Sequence, residues 1–317
     1  MVFFGSPVCL EKTLMNRVVK LSGLIIVLFI VLAGCNRKTD KHAGDDTVHS
    51  GHEVIAVDES FKPVIEAEAQ VFEGIFKEAK PEFRYQSENA LLRSFLNDTV
   101  RVAVLSRMLD TNEVNILKSR TLVAETFPIA VDAIALIVNQ ASSDTLITVK
   151  DLKNLLNGNT KTDKALVFDN PNSSLVRYLK EFSGGKLQQK NIYALKSNKE
   201  VLNYVSTHTN AIGIIGFSWL NDPDPDYADA VNKVKVVGVK DEANKKFPNE
   251  YFKPSQTSLA LKQYPLSRRI YLINSTGKMG LGRGFAEFVT NERGQRIILK
   301  SGVLPDSIPH REIHIKE

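Results

Sequence analysis

Cysteine is nearly absent from this chain of 317 residues: Cys9 and Cys35 are its two cysteines, both near the start. The body therefore has no disulfide framework, and its stability must come from core burial. Long apolar runs are missing as well. The most apolar stretch, Leu21 to Leu32, is about 12 residues, short of the roughly 20 that a helix needs to span a bilayer. Histidine is scarce. His42, His49 and His52 lie in a polar tract whose spacing matches no zinc pattern, and the others are His208, His310 and His314. No Gly-x-Ser-x-Gly elbow, His-Glu-x-x-His pair or glycine-rich Walker loop occurs. These absences argue against an enzyme, and they give no reason to expect a cofactor or a metal site. The formal charge of +5 is modest and no basic run is interleaved with aromatics, so nucleic acid is not an expected partner.

What is present begins with a leader. Lys12, Arg17 and Lys20 precede the apolar stretch, which ends in Leu32-Ala33-Gly34-Cys35. This is the order of a secretory signal: basic region, short apolar region, small-residue cleavage site. The cysteine directly after Ala-Gly makes it resemble a bacterial lipoprotein signal. That resemblance implies removal of residues 1–34, with Met15 a candidate true start, and lipidation of Cys35. A signal anchor that stays attached is the alternative. Either way the expectation is an exported protein, periplasmic or at the cell surface, held to a membrane. Residues 35–52 are polar and read as a flexible tether.

From Val54 onward, short β-rich runs alternate with amphipathic stretches, the pattern of α/β folds. Val54–Val57, Val102–Leu105, Leu166–Phe168, Ile212–Phe217 and Arg269–Ile273 read as strands. Ile129–Val138 reads as a long strand through the core with one charge, Asp132. Helices are expected from Val64, from Thr148 to Asn157-Gly158, over Leu175–Phe182 and over Gly284–Thr290.

Three strand ends carry small hydroxyl residues ahead of a helix. They are Ser60, read as an N-cap; Ser106-Arg107; and Asp169-Asn170-Pro171-Asn172-Ser173-Ser174, leading into a helix bearing Arg177. A helix N-terminus offers unpaired N–H groups and about half a positive charge. Serine hydroxyls add donors, and an arginine adds a charge-assisted fork. Ordinary N-capping explains each alone. Three together, in an exported and tethered protein, point to an anion.

The run Ala130–Asn139, the segment Thr148–Gly158, the glycine-bearing Ala211–Phe217, the stretch Tyr264–Tyr271 and the closing Glu292–Pro305 resemble, in order and spacing, the phosphate-binding proteins of bacterial ABC transporters. The resemblance spans residues 54–306. It implies an α/β fold of the two-lobed, type II periplasmic-binding-protein kind, with lobes joined by two crossing strands. Lobe one would take 53–131 and 260–317, and lobe two 132–259. It further implies a monomer that binds inorganic phosphate in the interlobe cleft and serves an ABC transporter permease. Ser60, Ser106, Arg107, Asn172, Ser173 and Ser174 would donate to the anion, with Arg177 as a further candidate and Asp169 as acceptor. The chain departs from the family where many members have an aspartate after the first-lobe serine, here Arg107. It also lacks the arginine and glycines of the second-lobe loop. Sulfate or another tetrahedral oxyanion therefore stays open as ligand, as does an interaction or sensor lipoprotein that keeps the fold.

Overall fold

The computed structural model describes residues 46–307 except Lys186 and Gln189. Cys35, the leader 1–34, His42, His310, His314 and the first part of the expected tether lie outside the described residues. Among the described residues, no helix is long and apolar enough to cross a membrane.

The apolar run Val54–Val57 forms the heart of β1 (Gly51–Asp58), whose last four residues are buried. Burial on both faces suits a strand flanked by parallel neighbours. Those neighbours are β2 (Ala79–Gln86) and β3 (Val102–Leu105). Helix α1 (Lys62–Ile75) returns from β1 with Pro63 in its first turn, where a missing N–H costs nothing. Helices α2 (Glu88–Leu96) and α3 (Thr111–Ser119) follow β2 and β3.

The long strand β4 (Glu125–Asn139) then changes partners midway. Glu125–Ala133 pairs antiparallel with β11 (Ser267–Asn274), whereas Ile134–Val138 pairs with β8 (Ala211–Gly216). One strand therefore leaves the sheet of the first lobe and enters that of the second. The second lobe holds β5 (Leu146–Thr148), α4 (Val149–Leu156), β6 (Ala165–Phe168), α5 (Ser174–Ser183), β7 (Ile192–Ala194) and α6 (Asn198–Thr207). It continues past β8 through α7 (Ala228–Asn232), β9 (Val234–Val236), β10 (Gly238–Lys240) and α8 (Gln256–Ala260). After β11 the chain adds α9 (Leu281–Thr290), α10 (Glu292–Lys300) and β12 (Leu304–Pro305) to the first lobe. The main sheet runs β2-β1-β3-β11-β4-β8-β6-β7.

Each lobe buries both faces of its half-sheet, the layered solution that α/β chains adopt. Phe72 meets Phe285 edge-on at 5.3 Å in the first lobe, whereas Leu136, Leu152, Leu175 and Ile214 pack together in the second. The reading of 35–52 as a flexible tether does not hold over 46–52, because polar composition hid specific contacts. Asp46 Oδ1 accepts from Leu281 N at 3.0 Å and pairs with Lys278, and His49 stacks on Phe76 at 4.3 Å. Gly284 makes room for this arm: a Cβ there would lie 1.8 Å from the Val48 carbonyl oxygen.

Candidate functional site

The carboxyl ends of β1 and β3 face those of β6 and β8 across the seam between the lobes, the place where open α/β sheets hold ligands. At its centre sit two charged residues on the crossing strands. Asp132 of β4 lies directly opposite Arg268 of β11. Arg268 donates to Asp132 Oδ2 from Nε at 3.2 Å and from Nη2 at 3.0 Å, and to Ser174 Oγ from Nη1 at 2.7 Å. Its guanidinium carbon also lies 4.5 Å from the centre of the Phe61 ring. Arg268 is 6 % exposed and Asp132 fully buried.

A hydroxyl chain runs on from there. Ser174 Oγ is 3.3 Å from Ser60 Oγ, and Ser60 donates to Asp58 Oδ1 at 2.8 Å, so the Ser174 hydroxyl is the donor to Ser60. Asp58 Oδ2 and Asp132 Oδ1 are buried without a hydrogen-bond partner. Burial pushes the Asp58 carboxyl above its ordinary range, against the pull of Arg268. Gly216 lets the lobes approach: a Cβ there would lie 3.0 Å from the Ser60 carbonyl and 3.3 Å from Arg268 Nη2. Trp219 Nε1 donates to that same carbonyl at 3.1 Å.

Ser60 is not the N-cap the sequence suggested. Asp58 caps the short turn by accepting from Ser60 N, and α1 begins after Phe61 with no side-chain cap. Asp58 has the longer reach and two acceptor oxygens, so it takes that role and leaves the Ser60 hydroxyl facing the other lobe.

The other two arginines hold carboxylates. Arg107 grips Glu113 with both Nη atoms at 2.8 and 2.7 Å. Arg177 donates to Glu88 from Nε at 2.6 Å and from Nη2 at 3.2 Å, and to Ser106 Oγ at 2.6 Å. Ser106 in turn donates to Glu88 Oε2 at 3.0 Å. The second-lobe loop is also self-paired. Ser173 caps α5 and donates to Asp169 Oδ1 at 2.6 Å. Asn172 is exposed and its side-chain oxygen accepts from Asn89 Nδ2 at 3.2 Å. Asn198 Nδ2 donates to Glu59 Oε2 at 2.7 Å and lies 3.4 Å from Asp169 Oδ2, linking a carboxylate from each lobe. Burial drives Glu59 up to about 7 and Asp169 up to about 6.

Of the expected residues, Ser60 and Ser174 meet at the hinge with Arg268, Asp58 and Asp132. Ser106 and Arg177 meet at a second point, Asp169 and Ser173 line the second-lobe side, and Arg107 and Asn172 turn to protein partners. Arg268 was not singled out from sequence. Its signal was its phase: Arg268 shares a buried face of β11 with Ile270 and Leu272.

Two hydroxyls, a guanidinium and the N-terminus of α5 thus converge between the lobes. The Ser60 and Ser174 protons go to Asp58 Oδ1 and Ser60 Oγ, so an oxyanion would be held by these hydroxyls only on taking the place of those acceptors. The three bonds of Arg268 use three of its five N–H groups.

No curated protein matches the sequence. Among solved structures, one similar protein comes from Clostridium perfringens, assigned as a phosphate ABC transporter substrate-binding protein and solved with bound phosphate. It is 22% identical, with a TM-score of 0.66 over 81% of this chain and 100% of that one. An ABC-type phosphate transport receptor from Vibrio cholerae is 18% identical, with a TM-score of 0.60 over 80% and 100%. A Corynebacterium glutamicum OxyR mutant shares the fold at 10% identity and a TM-score of 0.54, covering 94% of this chain and 76% of that one. The model of the PBP superfamily domain matches residues 46–293. That match spans most of the chain, and with the shared two-lobed α/β fold it places the chain in the PBP superfamily.

Proposed function

We propose that this protein captures inorganic phosphate at the hinge between its lobes and delivers it to an ABC importer, tethered to a membrane through lipidated Cys35. The observation that carries the reading is the junction of Ser60, Ser174 and Arg268. One hydroxyl comes from each lobe and a guanidinium from a crossing strand, so an anion that took the hydroxyl protons over from Asp58 and Ser60 would bind both lobes at once. Hydrogen bonds to a charged group contribute about 1.5–3 kcal/mol each, and three of them, less the closure cost, suit micromolar or tighter binding. Asp58 is the acceptor in this reading. Its buried Oδ2 rewards an anion that still carries a proton, as hydrogen phosphate does and sulfate does not.

Calorimetric titration with phosphate and with sulfate, at pH 6 and pH 8, tests the assignment. Phosphate binding with sulfate ignored supports it; equal binding of both makes the site a general oxyanion receptor. The Clostridium perfringens and Vibrio cholerae neighbours are a substrate-binding protein and a transport receptor, in keeping with a non-enzymatic role. Acyl mass spectrometry of the membrane fraction, with Cys35→Ala as control, tests the anchor. A second reading, an interaction or sensor lipoprotein, is favoured by one feature: Arg107, Arg177 and Arg268 each already hold a carboxylate. Absence of heat with both anions, alongside recovery of a membrane partner, would select it.

A further inference from the structure

Glu88 opens α2 in the first lobe and Arg177 lies in the first turn of α5 in the second. Their carboxylate–guanidinium fork, at 2.6 and 3.2 Å, therefore joins the two lobes directly. Ser106 closes a three-membered ring by accepting from Arg177 and donating to Glu88. The Glu88 side chain is 1% exposed and that of Arg177 26%, so the pair is only partly screened by solvent. Arg107 Nε stands 3.7 Å from Glu88 Oε1, a second positive charge on the same carboxylate. Beside it a backbone bond crosses the seam, Asn89 N to Asn172 O at 3.3 Å. The whole contact is built from the protein's own groups. Arg177 lies three residues beyond Ser174 on α5 but has different partners: Ser174 meets Arg268 and Ser60, whereas Arg177 holds Glu88 and Ser106.

We propose that Glu88 and Arg177 form a latch that closes the lobes through internal charges, so that the closed state is populated before an anion binds and release waits on breaking this pair. The anion-free half of this proposal does not depend on the identity of the ligand. Hinge motions about crossing strands are the established repertoire of such two-lobed proteins, and a latch biases that equilibrium by stabilising one end of it.

The chain has one tryptophan, and Trp219 bonds the Ser60 carbonyl across the seam, so its solvent access reports closure without a label. Acrylamide quenching of the anion-free protein is expected to rise in Glu88→Gln and in Arg177→Gln. The double variant should be no more open than either single one, since one interaction is lost in all three. Arg177→Lys keeps the charge, loses the fork, and should fall between. Stopped-flow release of inorganic phosphate should quicken about 10- to 100-fold in the single variants. Unchanged quenching in folded Glu88→Gln and Arg177→Lys would overturn the latch. So would tighter phosphate binding by Glu88→Gln, which would make Glu88 a competitor for Arg177. If phosphate binds no variant, the phosphate assignment fails while the quenching still decides the latch.

Discussion

Replacing Arg268 with methionine removes the one cation from the centre of the hinge. The side chain is nearly isosteric along its stem and can keep its contact with Phe61, so the lost terms are electrostatic. Asp132 would remain fully buried with Oδ1 already unpartnered and Oδ2 stripped of both bonds. Breaking a buried pair by removing one partner costs about 3–5 kcal/mol, because an uncompensated charge is left behind. Asp132 has an escape: burial already pushes its carboxyl above 3.8, and without Arg268 it rises further. A carboxyl raised in the native state favours folding below its unfolded pKa and loses that advantage as pH climbs toward the native value. The deficit of Arg268→Met should therefore widen from pH 5 to pH 8, by up to about 1.4 kcal/mol per unit. Urea unfolding followed at Trp219 reads it. The double variant Arg268→Met/Asp132→Leu, which removes both charges, should return close to wild-type stability. A deficit below about 1 kcal/mol at pH 8, or one independent of pH, would refute the claim that this pair is dry and mutually dependent.

Burial lifts Glu59 from 4.5 to about 7 and Asp169 from 3.8 to about 6, so wild-type stability should fall as pH rises through those windows. Glu59→Gln should flatten the upper part, between about pH 5 and pH 7, in melting curves. Glu68 is fully buried on α1, has no partner for either oxygen, and is pushed up to about 9 by burial alone. Its stabilisation is lost as pH rises above 4.5, so Glu68→Met should gain about 1–3 kcal/mol at pH 7 by urea unfolding and remove that slope.

Periodicity carried the sequence reading where it was strong. The single-charge run Ile129–Val138 lies within β4, Leu175–Phe182 lies in α5, and the glycine-bearing Ile212–Phe217 overlaps β8. β2 escaped because Ala79–Gln86 is an edge strand with Pro81 and polar residues on alternate positions, which weakens any apolar signal. The site was legible in residue type and less so in partnership. Arg107 and Arg177 are of the residue type that holds an anion, but the groups they hold are carboxylates, from six residues downstream in one case and from the opposite lobe in the other. Arg268 needed a pairing across 136 positions, and nothing local distinguishes it from its exposed neighbour Arg269 except phase. Long-range register is a tertiary fact, and one-dimensional patterns do not contain it.

The charges of the seam bear on how an anion reaches it. Asp58, Glu59, Glu88, Asp132 and Asp169 gather there, against Arg177, Arg268 and an Arg107 already tied to Glu113. Such a balance supplies no strong positive field to steer a dianion from a distance. On the proposed phosphate reading, selection acts at contact, through the hydroxyls, the guanidinium and the α5 N-terminus. Contact interactions in a closed seam are screened far less than surface charges, whose reach at 0.1 M salt is about 10 Å. Phosphate affinity should accordingly change less than about threefold between low salt and roughly 0.5 M sodium chloride in calorimetry. A steep loss of affinity with salt would mean that long-range attraction dominates and that the seam opens far enough for its carboxylates to be hydrated and screened.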